Sequence, residues 1–287
     1  MGLRTWVYDK TGIQLKNMNI EEQPDIIPYT KIESAPACPV CDSKYTIYYQ
    51  DVYGQRTQQK HSQRFCMECQ SFFHKSNYRE SNEQQKADFE FLMGYKDTHQ
   101  LLMELLAREL KTKLPGTRTM LEIGFGTGYF LKACQKFGMQ VNGFEVNKYC
   151  YDYAKHTLKL KCTHGIFDHT HEHKYDLITA IQVFEHLENP RELFKTMQNH
   201  LNPSGAIYLS VPFVEKEQWK FLWNAGEPHA YSVEDVFNDN DVHITHFSIE
   251  GMKKMGMSMG ARSAEYFLSK DTDYASPGAY QGVLFRF

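Results

Sequence analysis

The segment Thr119-Met120-Leu121-Glu122-Ile123-Gly124-Phe125-Gly126-Thr127-Gly128-Tyr129-Phe130-Leu131 carries the densest structural signal in this chain of 287 residues. Its first five residues are the short, mostly apolar run expected of a buried strand, and residues 129–131 open an apolar helical pattern. Between them stand three glycines at alternate positions. Glycine lets backbone come close to a ligand, and a helix that starts immediately afterwards presents unpaired N–H groups to it. A loop of this kind also suits a dinucleotide fold, so its neighbours have to narrow the reading.

Three carboxylates do so. Glu122 lies on the strand itself, two residues before Gly124. Val141-Asn142-Gly143-Phe144-Glu145 reads as the next strand and ends in an acid suited to a ribose diol. Gly165-Ile166-Phe167-Asp168 places a third acid after the third strand, where an adenine amino group can be hydrogen-bonded. Upstream, Ser81 and Gln84 form a capping box that opens a helix through Leu92, and Leu101, Leu102, Leu105, Leu106 and Leu110 share one stripe of a second helix. Leu114-Pro115-Gly116 stops it. Downstream, helical and strand patterns alternate, and residues 264–268 and 282–287 read as two final strands. The alternation predicts an α/β fold.

Two later strings make the pattern specific: Gln182-Val183-Phe184-Glu185-His186-Leu187-Glu188-Asn189-Pro190 after the fourth strand, and Leu201-Asn202-Pro203-Ser204-Gly205 before the fifth. With these, residues 95–287 resemble the class I S-adenosylmethionine-dependent methyltransferases. The resemblance implies a Rossmann-like seven-stranded sheet of order 3-2-1-4-5-7-6 and S-adenosyl-L-methionine as cofactor. It also implies that Glu122, Gly124, Gly126 and Gly128 hold the methionine part, Glu145 the ribose hydroxyls and Asp168 the adenine, with Gln182 on the methionine side. The chemistry agrees. A sulfonium with an ammonium group wants carboxylates, whereas a pyrophosphate wants free N–H groups.

Upstream of this domain, Cys38-Pro39-Val40-Cys41 and Cys66-Met67-Glu68-Cys69 form two close pairs with 24 residues between them. Two such knuckles can close a four-sulfur shell around a zinc ion, and the β-branched and aromatic residues at 45–49 and around Arg64-Phe65 predict a hairpin joining them. A shell of four cysteines leaves no open coordination position, so Cys38, Cys41, Cys66 and Cys69 predict a structural rather than a catalytic metal. The spacer predicts a polar insertion at residues 54–61. His61 and His74 are alternative ligands, with a surface position the expected one. The domain plan is then 1–35, a strand-rich lead-in; 36–80, a zinc ribbon; and 81–287, the methyltransferase domain. A ribbon fused to this domain resembles methyltransferases associated with sugar or polysaccharide modification.

Composition sets outer limits. Hydrophobic residues make up 41%, aromatic 14% and charged 23%, which is ordinary globular usage and excludes wholesale disorder. The net charge of −3 excludes a general basic coat for gripping duplex nucleic acid. Within residues 52–80, Arg56, Lys60, Arg64, Lys75 and Arg79 against Glu68 and Glu80 leave a local surplus of 5 − 2 = +3. No apolar run approaches the roughly 20 residues of a membrane span, and no export signal is read. The expectation is a cytoplasmic enzyme with reduced cysteines.

Methyl transfer is in-line displacement, so positioning and desolvation dominate, and a hydroxyl acceptor also needs a base. Glu185 and His186 sit just after the fourth strand, at the carboxyl edge where ligands of open α/β sheets bind. His229, on a cap segment at 227–231, and His246, within 242–248, are expected over the same edge. The string resembles a Glu-x-x-Glu-His metal motif of small-RNA 2′-O-methyltransferases, but Gln182 replaces its first acid, which weakens a hard-metal site near Glu185 and His186. His164, His169, His171 and His173 read as a solvated loop. The acceptor the resemblance favours is a sugar-type or other small-molecule hydroxyl. RNA or DNA gripped by the ribbon, and a non-catalytic binding module that keeps the fold, are the alternatives.

Overall fold

The computed structural model describes residues 36–54, 56–214, 242–268 and 281–287. The expected lead-in at 1–35 and the expected cap segment with His229 lie outside the described residues. The described chain folds into two compact units. One takes residues 36–78, 186–189, 213–214 and 242–255, and the other 79–185, 190–212, 256–268 and 281–287.

The larger unit is built on one seven-stranded sheet. Its strands are β4 (Thr119–Ile123), β5 (Gln140–Glu145), β6 (Thr163–His164), β7 (Tyr175–Ile181), β8 (Leu201–Ser210), β10 (Ser263–Leu268) and β11 (Gln281–Arg286). They lie in the order β6-β5-β4-β7-β8-β11-β10. Counted within this sheet that order is 3-2-1-4-5-7-6, as the resemblance implied. The first five run parallel, whereas β11 is antiparallel to both β8 and β10. The central strand β4 is buried from Met120 to Ile123, as a strand covered on both faces must be.

Two helices precede the sheet: α1 (Asn82–Gly94), capped by Ser81, whose Oγ accepts from Gln84 N at 3.2 Å, and α2 (Lys96–Lys113). The buried stripe of α2 is Leu102, Met103, Leu106, Ala107 and Leu110, one position round from the expected one, and Leu101 is exposed. The others in this unit are α3 (Tyr129–Lys136), α4 (Lys148–His156) and α5 (Pro190–Asn199). Gly128 caps α3 in the left-handed conformation (φ +81°), and a Cβ there would stand 2.9 Å from Leu160 Cδ1. That position therefore needs glycine twice over.

The smaller unit is a four-stranded antiparallel sheet, β1 (Thr46–Tyr53), β2 (Lys60–Cys66), β3 (Phe72–Phe73) and β9 (Thr245–His246), in that order. Phe65 and Phe72 are fully buried and 4.8 Å apart, with Val40 and Phe247 equally buried. The hairpin turn is shorter than expected: Gly54 N donates to Gln59 O at 2.7 Å, and His61 already belongs to β2. The segment 242–248, expected over the edge of the larger sheet, instead supplies β9, pairing Phe72 with His246 and Phe73 with Thr245. Helix α6 (Ile249–Ser258) follows.

Candidate functional site

The alternation of side chains along parallel strands brings two acids to one end of the larger sheet. Glu122 pairs in register with Gly143 on β5, and Glu145 ends that strand. Both are buried. Glu145 is held by main chain: Oε2 accepts from Gly126 N at 2.7 Å and Oε1 from Asn147 N at 2.8 Å. Burial pushes its carboxyl above the usual range, opposed by the N–H groups of Asn147 and Gly126. Asn147 caps α4, its Oδ1 accepting from Tyr149 N and Cys150 N.

Glu122 is more exceptional. Burial first, and the nearby Glu145 charge second, push its pKa well above the ordinary value. Its Oε2 has no hydrogen-bond partner among the described residues, and neither has the buried Thr127 Oγ1 on the same loop. A buried carboxylate oxygen without a partner costs free energy unless a ligand supplies one. An ammonium group is such a ligand, and a ribose diol suits the carboxylate at the end of β5. The loop between is shaped for close approach: Gly124 has φ +67°, and a Cβ on it would lie 2.4 Å from Val183 Cγ2. The residues present therefore fit an adenosyl-sulfonium group.

The remaining predicted residues are placed as follows. Gln182, exposed at the end of β7, has φ +57°, and its N–H donates to Ser210 O at 2.8 Å. A non-glycine residue held there stores strain of the kind found at functional positions. Asp168 is exposed, with Oδ1 accepting from Thr170 N at 2.8 Å and Thr170 Oγ1 at 2.6 Å, which holds its carboxyl below the usual range. Glu185, in a 3-10 turn at Phe184–His186, is buried, and burial pushes its carboxyl up to about 8. Both its oxygens lack a hydrogen-bond partner among the described residues. His171 is half-buried in the loop before β7, its ring stacked on Tyr175 and its Nε2 2.8 Å from Tyr175 Oη, while His164, His169 and His173 are exposed.

In the smaller unit the four cysteines converge. Cys38 and Cys69 Sγ are 3.5 Å apart, Cys41 and Cys66 Sγ 3.6 Å, and all four lie within 4.8 Å of one another. Sulfurs placed tetrahedrally about 2.3 Å from a zinc ion are about 3.8 Å apart, so the cluster fits a zinc ribbon. The surface position expected for His61 and His74 is corrected: both are buried, with rings 4.5 Å apart. His61 Nε2 lies 2.7 Å from Thr57 Oγ1, so it bonds a hydroxyl rather than completing the sulfur shell. His243 and His246 are buried here too, at a ring separation of 6.2 Å. His246 is thus a strand residue rather than an exposed base. Exposed His186 lies with its ring 4.8 Å from that of His243, and its Nδ1 is 3.1 Å from Val242 O. A bond to a carbonyl requires the proton on Nδ1, which leaves the lone pair on Nε2.

Sequence reasoning missed Asn147 and His243. An Asn directly before a helical run is an N-cap signal and marked the first.

A family model described as "Methyltransferase domain" matches residues 95–260. Among curated relatives, the ubiquinone biosynthesis O-methyltransferase of Shewanella halifaxensis is 25% identical over 102 residues, 33% of this chain and 43% of that protein. Its counterpart in Hydrogenovibrio crunogenus is 27% identical over 102 residues, 33% and 42%. The chain thus spans less than half the length of the curated relatives it matches. Among solved structures, human N-acetylserotonin methyltransferase in complex with SAM is similar, with TM-score 0.51 and 15% identity over 72% of this chain and 56% of that one. The plantazolicin methyltransferase BpumL in complex with SAH is similar with TM-score 0.50 and 15% identity over 71% and 90%.

Proposed function

The chain belongs to the methyltransferase-domain family, with the class I fold, and from that premise we propose that it transfers a methyl group from S-adenosyl-L-methionine to a hydroxyl of a sugar-type or other small molecule. The observation that carries the reading is the pair of buried acids at the ends of β4 and β5, one with an oxygen that has no hydrogen-bond partner among the described residues and the other gripping the loop between them. The names of the curated relatives support an oxygen acceptor.

When bound, the donor supplies a methyl carbon already activated by positive sulfur. The residues of this chain do the rest. Glu122 accepts the ammonium group, which returns its carboxyl to the ionised form. Glu145 accepts from the ribose hydroxyls, in place of or beside Gly126 N–H. Gln182 and the loop glycines shape the methionine end, and Asp168 is the adenine partner. Glu185 and His186, consecutive after β7, take the acceptor's proton. A carboxyl pushed up to about 8 suits general-base work near neutrality through its ionised fraction, and the Nδ1 bond of His186 directs its lone pair to Nε2. His229 joins them as a candidate from its sequence position alone. Cys38, Cys41, Cys66 and Cys69 hold a structural zinc ion, which closes the ribbon without touching the reaction. Arg64 spends its guanidinium on Thr46, with Nη2 donating to the carbonyl at 3.1 Å and Nε to Oγ1 at 3.3 Å, which counts against a nucleic-acid grip there.

The test is a product screen. The full chain is incubated with methyl-labelled S-adenosylmethionine and fractionated lysate, and labelled species are identified by mass spectrometry. Label on a hydroxylated small molecule is expected. Label on RNA, DNA or protein overturns the acceptor class, and absence of any donor binding or turnover overturns the enzyme.

A further inference from the structure

Helix α1 lies ahead of the family-matched segment and has no buried residue, although it carries Phe89, Phe91, Leu92 and Met93. Its half-buried positions are Gln84, Gln85, Asp88, Phe89, Leu92 and Met93, a stripe at helical spacing that faces inward without being closed over. What that stripe faces is specific. Leu92 Cδ1 stands 3.9 Å from where a Cβ on Gly126 would be, and Gly126 N–H is the group that Glu145 grips. Met93 Sδ is 3.9 Å from Tyr129 Oη, just after the loop. At the other end, Gln85 O accepts from Asn147 Nδ2 at 2.8 Å, and Asn147 N–H is the second donor to Glu145. One helix therefore spans both main-chain groups that hold the ribose-binding acid.

We infer that α1 is the outer wall of the donor crevice, with Leu92 covering the ribose end and the Gln85–Asn147 bond pinning the helix over it. This rests on the methyl-donor reading above. Leu92 is a positioning residue here: it makes no polar contact, and its work is to exclude water from the Glu145–diol hydrogen bonds and to slow escape. Water exclusion strengthens such bonds, because a competing partner for each oxygen is removed. The exposed part of Leu92 is then covered by the bound nucleoside.

The experiment measures dissociation of S-adenosylhomocysteine and of 5′-methylthioadenosine from the full chain by surface plasmon resonance, for wild type, Leu92→Ala and Leu92→Met. Expected is an increase of about tenfold in the dissociation rate for both ligands in Leu92→Ala, with near-wild-type rates in Leu92→Met, since affinity changes of this kind reside mainly in the off-rate. Amides of residues 84–94 should exchange more slowly with ligand present in the wild type. Because Leu92 is only half-buried, the melting temperature of the ligand-free variant serves as the control for folding. Equal dissociation rates in wild type and Leu92→Ala overturn the wall, and so does a change confined to S-adenosylhomocysteine, which places Leu92 over the amino-acid end instead. Failure of wild type to bind either ligand overturns the donor reading itself and this inference with it.

Discussion

Acid should destabilise the smaller unit through His243 and His246. Burial, first, and then His186, His246, Arg56 and His74 push His243 down to about 2; burial and then His74 push His246 down to about 3, opposed by the main chain of His243. An unfolded histidine titrates near about 6.5. Both folded values lie below that, so protons prefer the unfolded chain. The two side chains cost nothing above about pH 6.5, and stability falls as pH drops below it until the folded values are reached. At about 1.4 kcal/mol per pH unit and per group, acidification to about pH 4.5 removes about 5 kcal/mol, comparable with the whole stability of a small domain. The assay is urea unfolding followed by hydrogen exchange at β1, β2, β3 and β9, from pH 7.5 to 4.5. His243→Gln and His246→Gln should each flatten the slope below pH 6.5 by about 1.4 kcal/mol per unit. Acid also releases zinc from thiolates, but that loss is common to wild type and variants and cancels in the comparison. Slopes identical in all three proteins, or imidazole NMR resonances of His243 and His246 that titrate near pH 6.5 in the wild type, refute the reasoning.

Four further outcomes follow from the same geometry. Glu145→Gln should weaken S-adenosylhomocysteine binding by about 1.5–3 kcal/mol, the range for hydrogen bonds to a charged group, read by calorimetry. Donor affinity should rise with pH in the acid range, because ammonium binding must expel the proton that burial keeps on Glu122, and Glu122→Gln should abolish that slope. Gly128→Ala should cost at least about 1–3 kcal/mol, from a strained φ of +81° and the close Leu160 methyl, seen as a lowered melting temperature. Metal analysis should find one zinc ion per chain, and chelation should lower the melting temperature. Loss of activity on chelation with unchanged melting would make the metal catalytic instead.

What was legible in the chain was whatever local chemistry encodes. The strand–loop–helix at 119–131, the acid at the end of β5 and the paired cysteines each occupy a few consecutive residues, and each stands where it was read. The α2 stripe was shifted because leucines at 101, 102, 105 and 106 satisfy two adjacent faces equally, and only the neighbouring layer chooses between them. β9 was illegible for a different reason. Two residues carry no periodicity, and their partners in β3 lie more than 170 positions earlier. His61 was misplaced although a signal existed. Strand alternation with Phe65 inward carries Gln63 and His61 inward as well, and the β2 residues Phe65, Gln63 and His61 are all buried. Polar neighbours argued for the surface, and the two-residue period overrode them.

The site shows a deeper limit. Sequence can place Glu122 and Glu185 near an edge of the sheet, but the property that makes them informative is environmental. Each is a buried carboxyl short of hydrogen-bond partners among the described residues, at Oε2 of Glu122 and at both oxygens of Glu185, and burial raises both pKa values. Folding alone gives no return for such groups, since an apolar residue of similar shape avoids the desolvation penalty. A ligand or a proton is a partner that removes this penalty. For Glu122 the partner is a cation that restores the charge. Glu185, poised at about 8, is ionised in a minor fraction at neutrality, and that fraction takes the proton of an acceptor hydroxyl as it reacts. Glu185→Gln should therefore lower kcat while leaving donor affinity unchanged, whereas Glu122→Gln should do the reverse; equal effects of both substitutions on both quantities would show that the two carboxyls serve packing alone.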